Sequence, residues 1–595
     1  MLYCRSPMKP DLRQRAERWI RDDPDPRTRE ELQALLAQPD LGTTDLEDRF
    51  AGSLEFGTAG LRGVLGAGPN RMNRAVVARA TWGLAQELLA RVPRATERGV
   101  VVGGDARRMS RELSEDTAAI LAAAGIKVLL FREPVPTPLV GFAVKRLSAA
   151  AGVVVTASHN PPEYNGYKVY WENAAQIVPP IDAGIAAAIE RAPAGRDVPR
   201  PSLDELRARG LVSDAPADME RAYLDAILAL SVHPGEGDRS IGIVYTPMHG
   251  VGDALLRRAL AEGGFPNVTS VPEQQKPDGA FPTVAFPNPE EKGAMDLSFA
   301  LAKKTGAHLI MANDPDADRL AVAVPEGGGW RQLTGNQVGT LLGHYLLTER
   351  PAASRPRAVL ASLVSAPLLG RIAATLGVRY EETLTGFKWI ANRAMDLERD
   401  GLEFVFGYEE ALGYCVGDVV RDKDGISAAL LAAEMTAVLR KRGKTLLDEL
   451  DEIARRWGVF TSSQVNVTRK GASGVAAIRA MMNGLRASPP RKVAEDDVVS
   501  VADYDARTRT DMRTGAVIPL TLPRSNVLAF DLASGSRIIA RPSGTEPKAK
   551  FYFDVRAEVR SGEPVAAAAA RATAAQKNLE AAFTDIATKQ DPGPA

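Results

Sequence analysis

The sequence predicts an α/β protein of several domains with mixed, mostly parallel sheets, ending in an α+β domain. Three observations carry this. The chain has 595 residues, too many for one hydrophobic core, and a prior of roughly 150 residues per domain gives about four domains. A theme of apolar strand, polar turn and helical pattern recurs along most of the chain, the mark of βαβ units. From Val459 onward the pattern becomes an alternation of apolar and polar residues, as in antiparallel strands.

The units read in order. Gly99-Val-Val-Val-Gly-Gly-Asp-Ala-Arg107 leads into the helical Ser110-Arg-Glu-Leu-Ser-Glu115. Ala151-Gly-Val-Val-Val155 is an apolar, β-branched run and so a buried strand. It breaks into Thr156-Ala-Ser-His-Asn-Pro-Pro162, where the prolines end any regular element. Ile241-Gly-Ile-Val-Tyr-Thr-Pro-Met-His-Gly250 leads into the helical Asp253–Leu260 stretch, and His308-Leu-Ile-Met-Ala-Asn313 runs into Asp314. Loops at the carboxyl ends of such strands are where ligands usually bind. Residues 191–202, rich in proline and charge, read as a linker or excursion. Further joints are expected near 325–330 and after an amphipathic helix at 444–457. The chain divides on this reading into residues 1–215, 216–327, 328–452 and 453–595. In the last part, 459–467 alternates as an antiparallel strand, 565–582 is a closing helix and 589–595 a disordered tail.

Composition narrows the function. Lys plus Arg and Asp plus Glu both number 74, which argues against a general nucleic-acid or membrane-surface binder. Cys4 and Cys415 are the two cysteines, so no disulfide framework is expected and a reducing, cytoplasmic setting is. The first ten residues have no apolar core before the charged stretch from Asp11, so they do not read as a signal peptide, and either Met1 or Met8 is the start. No run approaches a membrane span.

Four segments carry chemistry. Ser158 stands at a strand end in a loop restricted by prolines, with the cation Lys168 at the end of the same segment. It reads either as a turn or helix cap or as a serine acting on an anion. His159 adjoins it. Neighbouring side chains of an extended chain point to opposite faces, which makes His159 a poor direct base for Ser158. Asp314-Pro-Asp-Ala-Asp-Arg319 lies between two apolar runs. Its alternate carboxylates repel one another unless a cation sits among them, and hard oxygen ligands on a short loop suit Mg²⁺. The competing readings are a solvated acidic turn and an EF-hand. The EF-hand fails, because Arg319 and Pro325 stand where it needs glycine and glutamate. Zinc lacks a Cys or His cluster at ligand spacing. Arg541-Pro-Ser-Gly-Thr-Glu-Pro-Lys548 offers charged donors, hydroxyls and backbone N–H groups in a tight turn, a phosphate cradle, although Pro-Ser-Gly also suffices for a plain hairpin. In Gly407-Tyr-Glu-Glu-Ala-Leu-Gly-Tyr414, Glu409 and Glu410 have the chemistry to accept hydrogen bonds from sugar hydroxyls, or are solvated loop acids. Two decoys are set aside. Gly443-Lys-Thr445 lacks the upstream glycine of a phosphate loop and reads as helical, and Gly66-Ala-Gly-Pro-Asn-Arg71 has no clear strand before it.

Together the four describe phosphoryl transfer between a serine and a phosphorylated polyol. At this point the chain resembles the α-D-phosphohexomutase superfamily, the phosphoglucomutase/phosphomannomutase enzymes. The four segments occur in that family's order, and the resemblance runs from Phe56-Gly-Thr-Ala-Gly-Leu-Arg-Gly63 to Phe553. Thr246-Pro-Met-His-Gly-Val-Gly252, Phe286-Pro-Asn-Pro-Glu-Glu291, Thr385-Gly-Phe-Lys388 and Asp422-Lys-Asp-Gly-Ile426 are most similar to the branch containing phosphoglucomutase-2 and phosphopentomutase.

The resemblance implies four domains around a central cleft: three α/β domains and the α+β domain, with one loop from each. It implies a phosphoserine at Ser158 that, with Asp314, Asp316 and Asp318, binds Mg²⁺, and a sugar bisphosphate activator. Lys168 is expected as general acid or base and Arg62 to steady the phosphoryl group, with His159 as a further catalytic candidate. Arg319, Thr385, Gly386, Lys388, Glu409, Glu410, Arg541, Ser543, Gly544, Thr545 and Lys548 are expected to bind substrate. The expected reaction is glucose 1-phosphate to glucose 6-phosphate, by a monomer or weak homodimer acting on a small phosphosugar. Phosphopentomutase, phosphomannomutase and a non-catalytic sugar-phosphate-binding regulator are the alternatives. Ala411 departs from the family, since many hexose mutases have serine there. His249 and Lys388 are candidates for a second acid or base.

Overall fold

The computed structural model describes residues 10–37, 39–57, 60–351, 354–469, 472–543 and 548–590. Met1, Cys4, Met8, the end of the expected tail (591–595) and Gly544 and Thr545 of the cradle lie outside the described residues. The chain divides into two compact units. One comprises residues 1–333, 386–396 and 411–441, the other 334–385, 397–410 and 442–595.

The first unit opens with helices Pro10–Asp22, Pro26–Ala37 and Pro39–Arg49, which bury Leu12, Leu32, Leu36, Leu46 and Phe50 against Ala67. A six-stranded sheet follows: β1 Leu61–Val64, β2 Val100–Gly104, β3 Val128–Leu130, β4 Ala151–Val155, β5 Tyr164–Tyr170 and β6 Val212–Asp214, in the order β1-β5-β4-β2-β3-β6. The β4-β2-β3-β6 pairings are parallel and β1-β5-β4 antiparallel. Every residue of β2 and β4 is buried, as strands covered on both faces require. Neighbouring β2 residues show what covers them. A Cβ on Gly103 would touch Val140 at 2.8 Å, and one on Gly104 would touch Ser114 at 3.0 Å. Successive strand residues face opposite ways, so helices Thr137–Arg146 and Ser110–Ala123 lie on opposite faces. The expected linker at 191–202 is a packed excursion: Gly195–Asp197 is a 3₁₀ turn, and Val198 is buried against Ala78 and Ile120. A strand, β1, does precede the loop at Gly66, contrary to the sequence reading.

The unit's second sheet is β7 Ile243–Thr246, β8 Val268–Ser270, β9 Leu309–Ala312, β10 Ala321–Glu326 and β11 Gly329–Gln332, ordered β11-β10-β9-β7-β8. The expected joint at 325–330 is the turn of the β10–β11 hairpin, where Glu326 pairs with Gly329. A boundary between residues 327 and 328 would cut this hairpin. Gly327 and Gly328 have positive φ, and a short glycine turn looks like a linker in sequence.

In the second unit, β12 Arg357–Ser362 pairs in parallel with β13 Arg379–Thr383 and β14 Glu403–Glu409. The segment at Gly443 is not helical throughout. Gly443 has φ 72°, and Thr445 caps a new helix, Leu446–Trp457, in a capping box with Asp448. A boundary at 452 falls inside that helix.

The C-terminal sheet is antiparallel. Val459–Thr468 pairs with Lys548–Ala557, which pairs with Arg537–Pro542, then Leu528–Leu532 and Asp496–Asp503. The closing helix runs from Val565 to Lys589, past the expected 582. Its Phe583 is fully buried among Phe530, Phe551 and Phe553, with ring centroids 5.3, 5.2 and 6.1 Å away. Among the described residues no helix is long and apolar enough to cross a membrane.

Two predictions follow from the C-terminal packing. Phe583→Ala should cost about 3–5 kcal/mol in chemical unfolding; an unmoved midpoint would mean that the helix does not close this core. The second concerns Asp554, whose carboxyl is buried beside Ser462 (2.6 Å) and Arg537 (3.8 Å). Burial pushes its pKa from 3.8 up to about 6, against the pull of Arg537 and Ser462. The folded state therefore holds this proton more tightly than the unfolded one. The contribution is fully present below the unfolded value and is lost as pH rises through about 6. Unfolding of wild type and Asp554→Asn across pH should show the wild type losing about 3 kcal/mol relative to the variant between about pH 4 and about pH 7. A flat difference would refute the assignment.

Candidate active site

The acidic loop joins β9 to β10, which pair antiparallel with Ala312 opposite Ala321. Ala317 turns it with φ 57° and bonds its N–H to the Asp314 carbonyl at 2.9 Å. Neighbouring chain presses close. A Cβ on Gly250 would strike the backbone of Pro315, and one on Gly425 that of Arg319, so both positions need glycine. Asp314, Asp316 and Asp318 are fully buried. One carboxylate oxygen from each lies within 4.8 Å of the others.

Ser158 comes to this loop from the end of β4. Its Oγ donates to Asp314 Oδ2 at 2.6 Å. Its φ of 52° is left-handed, a conformation that costs a non-glycine residue energy. The Ser158 N–H is held by Thr156 Oγ1 at 2.8 Å, and that hydroxyl donates to Asp105 Oδ2 at 2.6 Å. The turned backbone corrects the reading of His159. Ser158 is not extended, and His159 Nδ1 lies 3.2 Å from its Oγ. Burial, then the charges of Arg319 and Arg62, lower the His159 pKa well below 6.5, so the ring is neutral. With Ser158 donating to Asp314, a His159 ring protonated at Nδ1 would donate to the Ser158 oxygen; the direction of this bond is set by the tautomer.

Lys168 on β5 donates to Asp316 Oδ2 at 2.7 Å and Asp318 Oδ2 at 2.8 Å. Lys423 lies 3.1 Å from Asp318, and Thr137 Oγ1 donates to Asp316 at 2.7 Å. Burial raises the Asp314 carboxyl well above its ordinary range, and the charges of Asp316 and Asp318 add to it. Burial acts the same way on Asp316 and Asp318, but Lys168 overrides it and holds both below the ordinary range. Burial likewise opposes the charge on Lys168, and the two aspartates outweigh it, so its pKa is raised and it is an ammonium.

Arg319 lies 4.0 Å from both Asp314 and Asp318, and Arg62 Nη1 donates to Asn160 at 3.2 Å. The Nε atoms of Arg62 and Arg319 are buried without a hydrogen-bond partner, donors suited to an anion. Oδ1 of Asp316 and Oδ1 of Asp318 are orphaned in the same way. Buried oxygens of this kind fit a hard divalent cation.

The structure thus gathers Ser158, His159, Lys168, Arg62, Asp314, Asp316, Asp318 and Arg319 in one place. Gly386 (φ 109°) and Lys388 belong to the same unit, and burial pulls the Lys388 pKa down. His249 turns its Nε2 to Thr283 at 2.8 Å. Within the second unit, Arg541 donates to Thr385 Oγ1 at 2.5 Å, Ser543 N–H bonds to the Lys548 carbonyl at 2.8 Å, and Glu410 accepts from Ser362 and Ser365 at 3.1 and 3.3 Å. Glu409 ends β14 half-buried. Sequence reasoning missed Asp105, Arg107, Thr137 and Lys423. Asp105 and Arg107 had a signal, because they follow a parallel strand at its carboxyl end. Lys423 lay inside the motif at Asp422. Thr137 had none.

Residues 53–196, 221–328 and 334–456 match the models of phosphoglucomutase/phosphomannomutase alpha/beta/alpha domains I, II and III. A protein of Haemophilus influenzae named probable phosphomannomutase is 44% identical over 490 residues, covering 82% of this chain and 93% of the relative. The phosphopentomutase of Homo sapiens is 36% identical over 581 residues, covering 93% of each. The crystal structure of a phosphoglucomutase/phosphomannomutase family protein from Burkholderia thailandensis shares the fold, with TM-score 0.66 at 20% identity over 90% of this chain and 98% of that one. The chain belongs to the phosphoglucomutase/phosphomannomutase family of sugar-phosphate mutases.

Proposed function

We propose that the chain moves a phosphoryl group between the C1 and terminal hydroxyls of a sugar, with Ser158 as the carrier and the glucose 1-phosphate/glucose 6-phosphate pair as substrate. The observation that carries this is a serine hydroxyl, turned by a left-handed backbone, 2.6 Å from one of three buried clustered carboxylates. A capping serine does not need that setting.

Asp314, Asp316, Asp318 and an oxygen on Ser158 would hold Mg²⁺, which when bound neutralises charge growing on the transferred phosphoryl group. The chain's own groups supply the rest. Phosphorylated Ser158 gives its phosphoryl to the free hydroxyl of a sugar monophosphate: the Ser158 O–P bond breaks as the sugar O–P bond forms. Lys168, held as an ammonium, delivers a proton to the departing Ser158 oxygen and, once neutral, takes the proton of the attacking hydroxyl. The bisphosphate then turns, and its other phosphate returns to Ser158. Free sugar bisphosphate is the activator that first loads the serine. The open Nε donors of Arg62 and Arg319 take phosphoryl oxygens, and neutral His159, protonated at Nδ1, donates to Ser158 oxygen. Arg541, Ser543, Gly544, Thr545 and Lys548 are assigned to the non-reacting phosphate. Glu409, Glu410, Thr385, Gly386 and Lys388 are assigned to the sugar side. Two cysteines in 595 residues fit a cytoplasmic enzyme.

A second reading, pentose 1-phosphate to pentose 5-phosphate, is favoured by one residue. Ala411 lacks the hydroxyl that many hexose mutases place in the sugar loop. Losing one such bond costs on the order of 1 kcal/mol, which relaxes hexose selection without abolishing it. The likeness to a phosphopentomutase supports the same reading, while the likeness to a phosphomannomutase supports a hexose.

Two outcomes test these assignments. Ser158→Ala should lose at least about 10³-fold in turnover, and intact-mass measurement should show phosphate on the wild type after sugar-bisphosphate treatment and none on the variant. A variant that keeps its activity would remove Ser158 from the mechanism, and an active-site-intact wild type that never takes phosphate would leave a non-catalytic binder. Turnover of glucose, mannose and ribose 1-phosphates should rank glucose first; a clear preference for ribose 1-phosphate would establish the second reading instead.

A further inference from the structure

Arg107 has no place in the chemistry above, yet it is the most heavily engaged cation beside Ser158. It lies in the turn between β2 and helix Ser110–Ala123, with its side chain wholly out of water. One guanidinium nitrogen donates to the Ser158 carbonyl at 2.6 Å and also to that of Asn160. The other donates to the carbonyls of Pro161 (2.8 Å) and Tyr164 (3.3 Å). A single planar group therefore ties down four carbonyls of the loop that carries the serine.

Arg107 is itself held from three directions. Asp105 accepts its backbone N–H at 3.0 Å and lies 3.3 Å from its Nε. Ser110 donates to the same carboxylate at 2.8 Å, as Thr156 does from β4. The ring of buried Phe281 lies 4.8 Å from the guanidinium carbon, a stacking contact that Lys makes less well. At Gly279 a Cβ would come within 2.9 Å of Arg107 Cα, so the 279–281 turn closes over the arginine. Asp105 thus fixes both anchors of Ser158: Thr156, which takes its N–H, and Arg107, which takes its carbonyl.

We infer that Arg107 is a positioning residue for phosphoryl transfer, clamping residues 158–164 so that Ser158 stays left-handed with its oxygen directed at Asp314. The inference rests on Ser158 being the phosphoryl carrier. Arg107 holds the Ser158 carbonyl while Thr156 holds its N–H, so the peptide groups on both sides of the Ser158 Cα, whose orientation sets its φ and ψ, are fixed. Lysine keeps the charge but lacks the planar fork that spans four carbonyls.

Arg107→Lys should fold, take up phosphosugar with KM within about threefold of wild type, and lose about 10²-fold in kcat, the usual effect of an ångström-scale misplacement. The decisive readout is the rate at which glucose 1,6-bisphosphate phosphorylates Ser158, followed by intact mass: a similar drop is expected there, which a loss of folding stability alone would not produce in protein whose thermal midpoint is unchanged. Should Arg107→Lys not fold, Asp105→Asn, which loosens the same clamp while keeping its shape, carries the same expectation. A variant phosphorylated at the wild-type rate would overturn this inference alone. A wild type that takes no phosphate at all would overturn the mutase reading and this inference with it.

Discussion

Three carboxylates within 4.8 Å of one another and out of water dictate how the first unit is built. At an effective dielectric of about 20, each like-charged pair at such range costs about 4 kcal/mol, so Asp314, Asp316 and Asp318 require cations. Lys168 answers two of them from β5, a strand of the other sheet, where it lies in register with Val154 of β4. The ion pair therefore locks the serine-bearing sheet to the acidic-loop sheet. Lys423 adds to Asp318, while Asp314 accepts from the Ser158 hydroxyl at 2.6 Å and the Arg319 N–H at 3.1 Å, with the Arg319 guanidinium 4.0 Å away. That asymmetry is why burial lifts the Asp314 carboxyl and the lysines depress the other two.

Much of this was legible in the sequence where one short segment carried the message. The apolar run before Ser158 and its prolines gave a strand and a sharp loop. The acidic loop between two apolar runs proved to be a strand-to-strand turn, and Arg541 pairs with Lys550 in the antiparallel strands on either side of the 541–548 segment. Legibility ended where conformation is set from afar. Nothing local states that Ser158 is left-handed: the cause lies in Asp105 and Arg107, some fifty positions upstream, so the argument that separated His159 from Ser158 assumed an extended chain that is not there. The partners of Lys168 are about 150 positions away in the chain. The hairpin at Gly327 and the helix break at Gly443 failed for another reason. A two-glycine turn and a linker share a composition, and a single glycine beside a strong helical pattern is easily read through.

The second unit applies the same economy of anchoring to the strand that ends in the cradle. Arg537 and Arg541 begin and nearly end the strand Arg537–Pro542, and both reach out to the sheet of β12, β13 and β14. Arg537 is buried, bonded to Glu382 at 2.6 Å and to the Ser365 carbonyl at 2.8 Å. Arg541 meets Thr385. Breaking one partner of a buried pair leaves a charge uncompensated, typically at a cost of about 3–5 kcal/mol. Arg537 therefore belongs to the frame, and Arg541 with the Thr385 hydroxyl is the outer contact of the same strand.

That frame extends to the loop after β14. Ser365, whose carbonyl is held by Arg537, turns its hydroxyl to Glu410, and Ser362 joins it; the Ser365 hydroxyl also takes the Glu410 N–H at 3.1 Å. Both serines are fully buried, so Glu410 Oε2 is directed inward and its backbone is fixed. The two hydroxyls also bond to each other at 2.8 Å, so rotating that carboxylate outward would leave one buried hydroxyl proton without an acceptor, at about 1–3 kcal/mol. Glu410 therefore sets the shape of the loop that follows β14: its carboxylate and its N–H are both tied to Ser365, and Ser362 holds the same oxygen from behind.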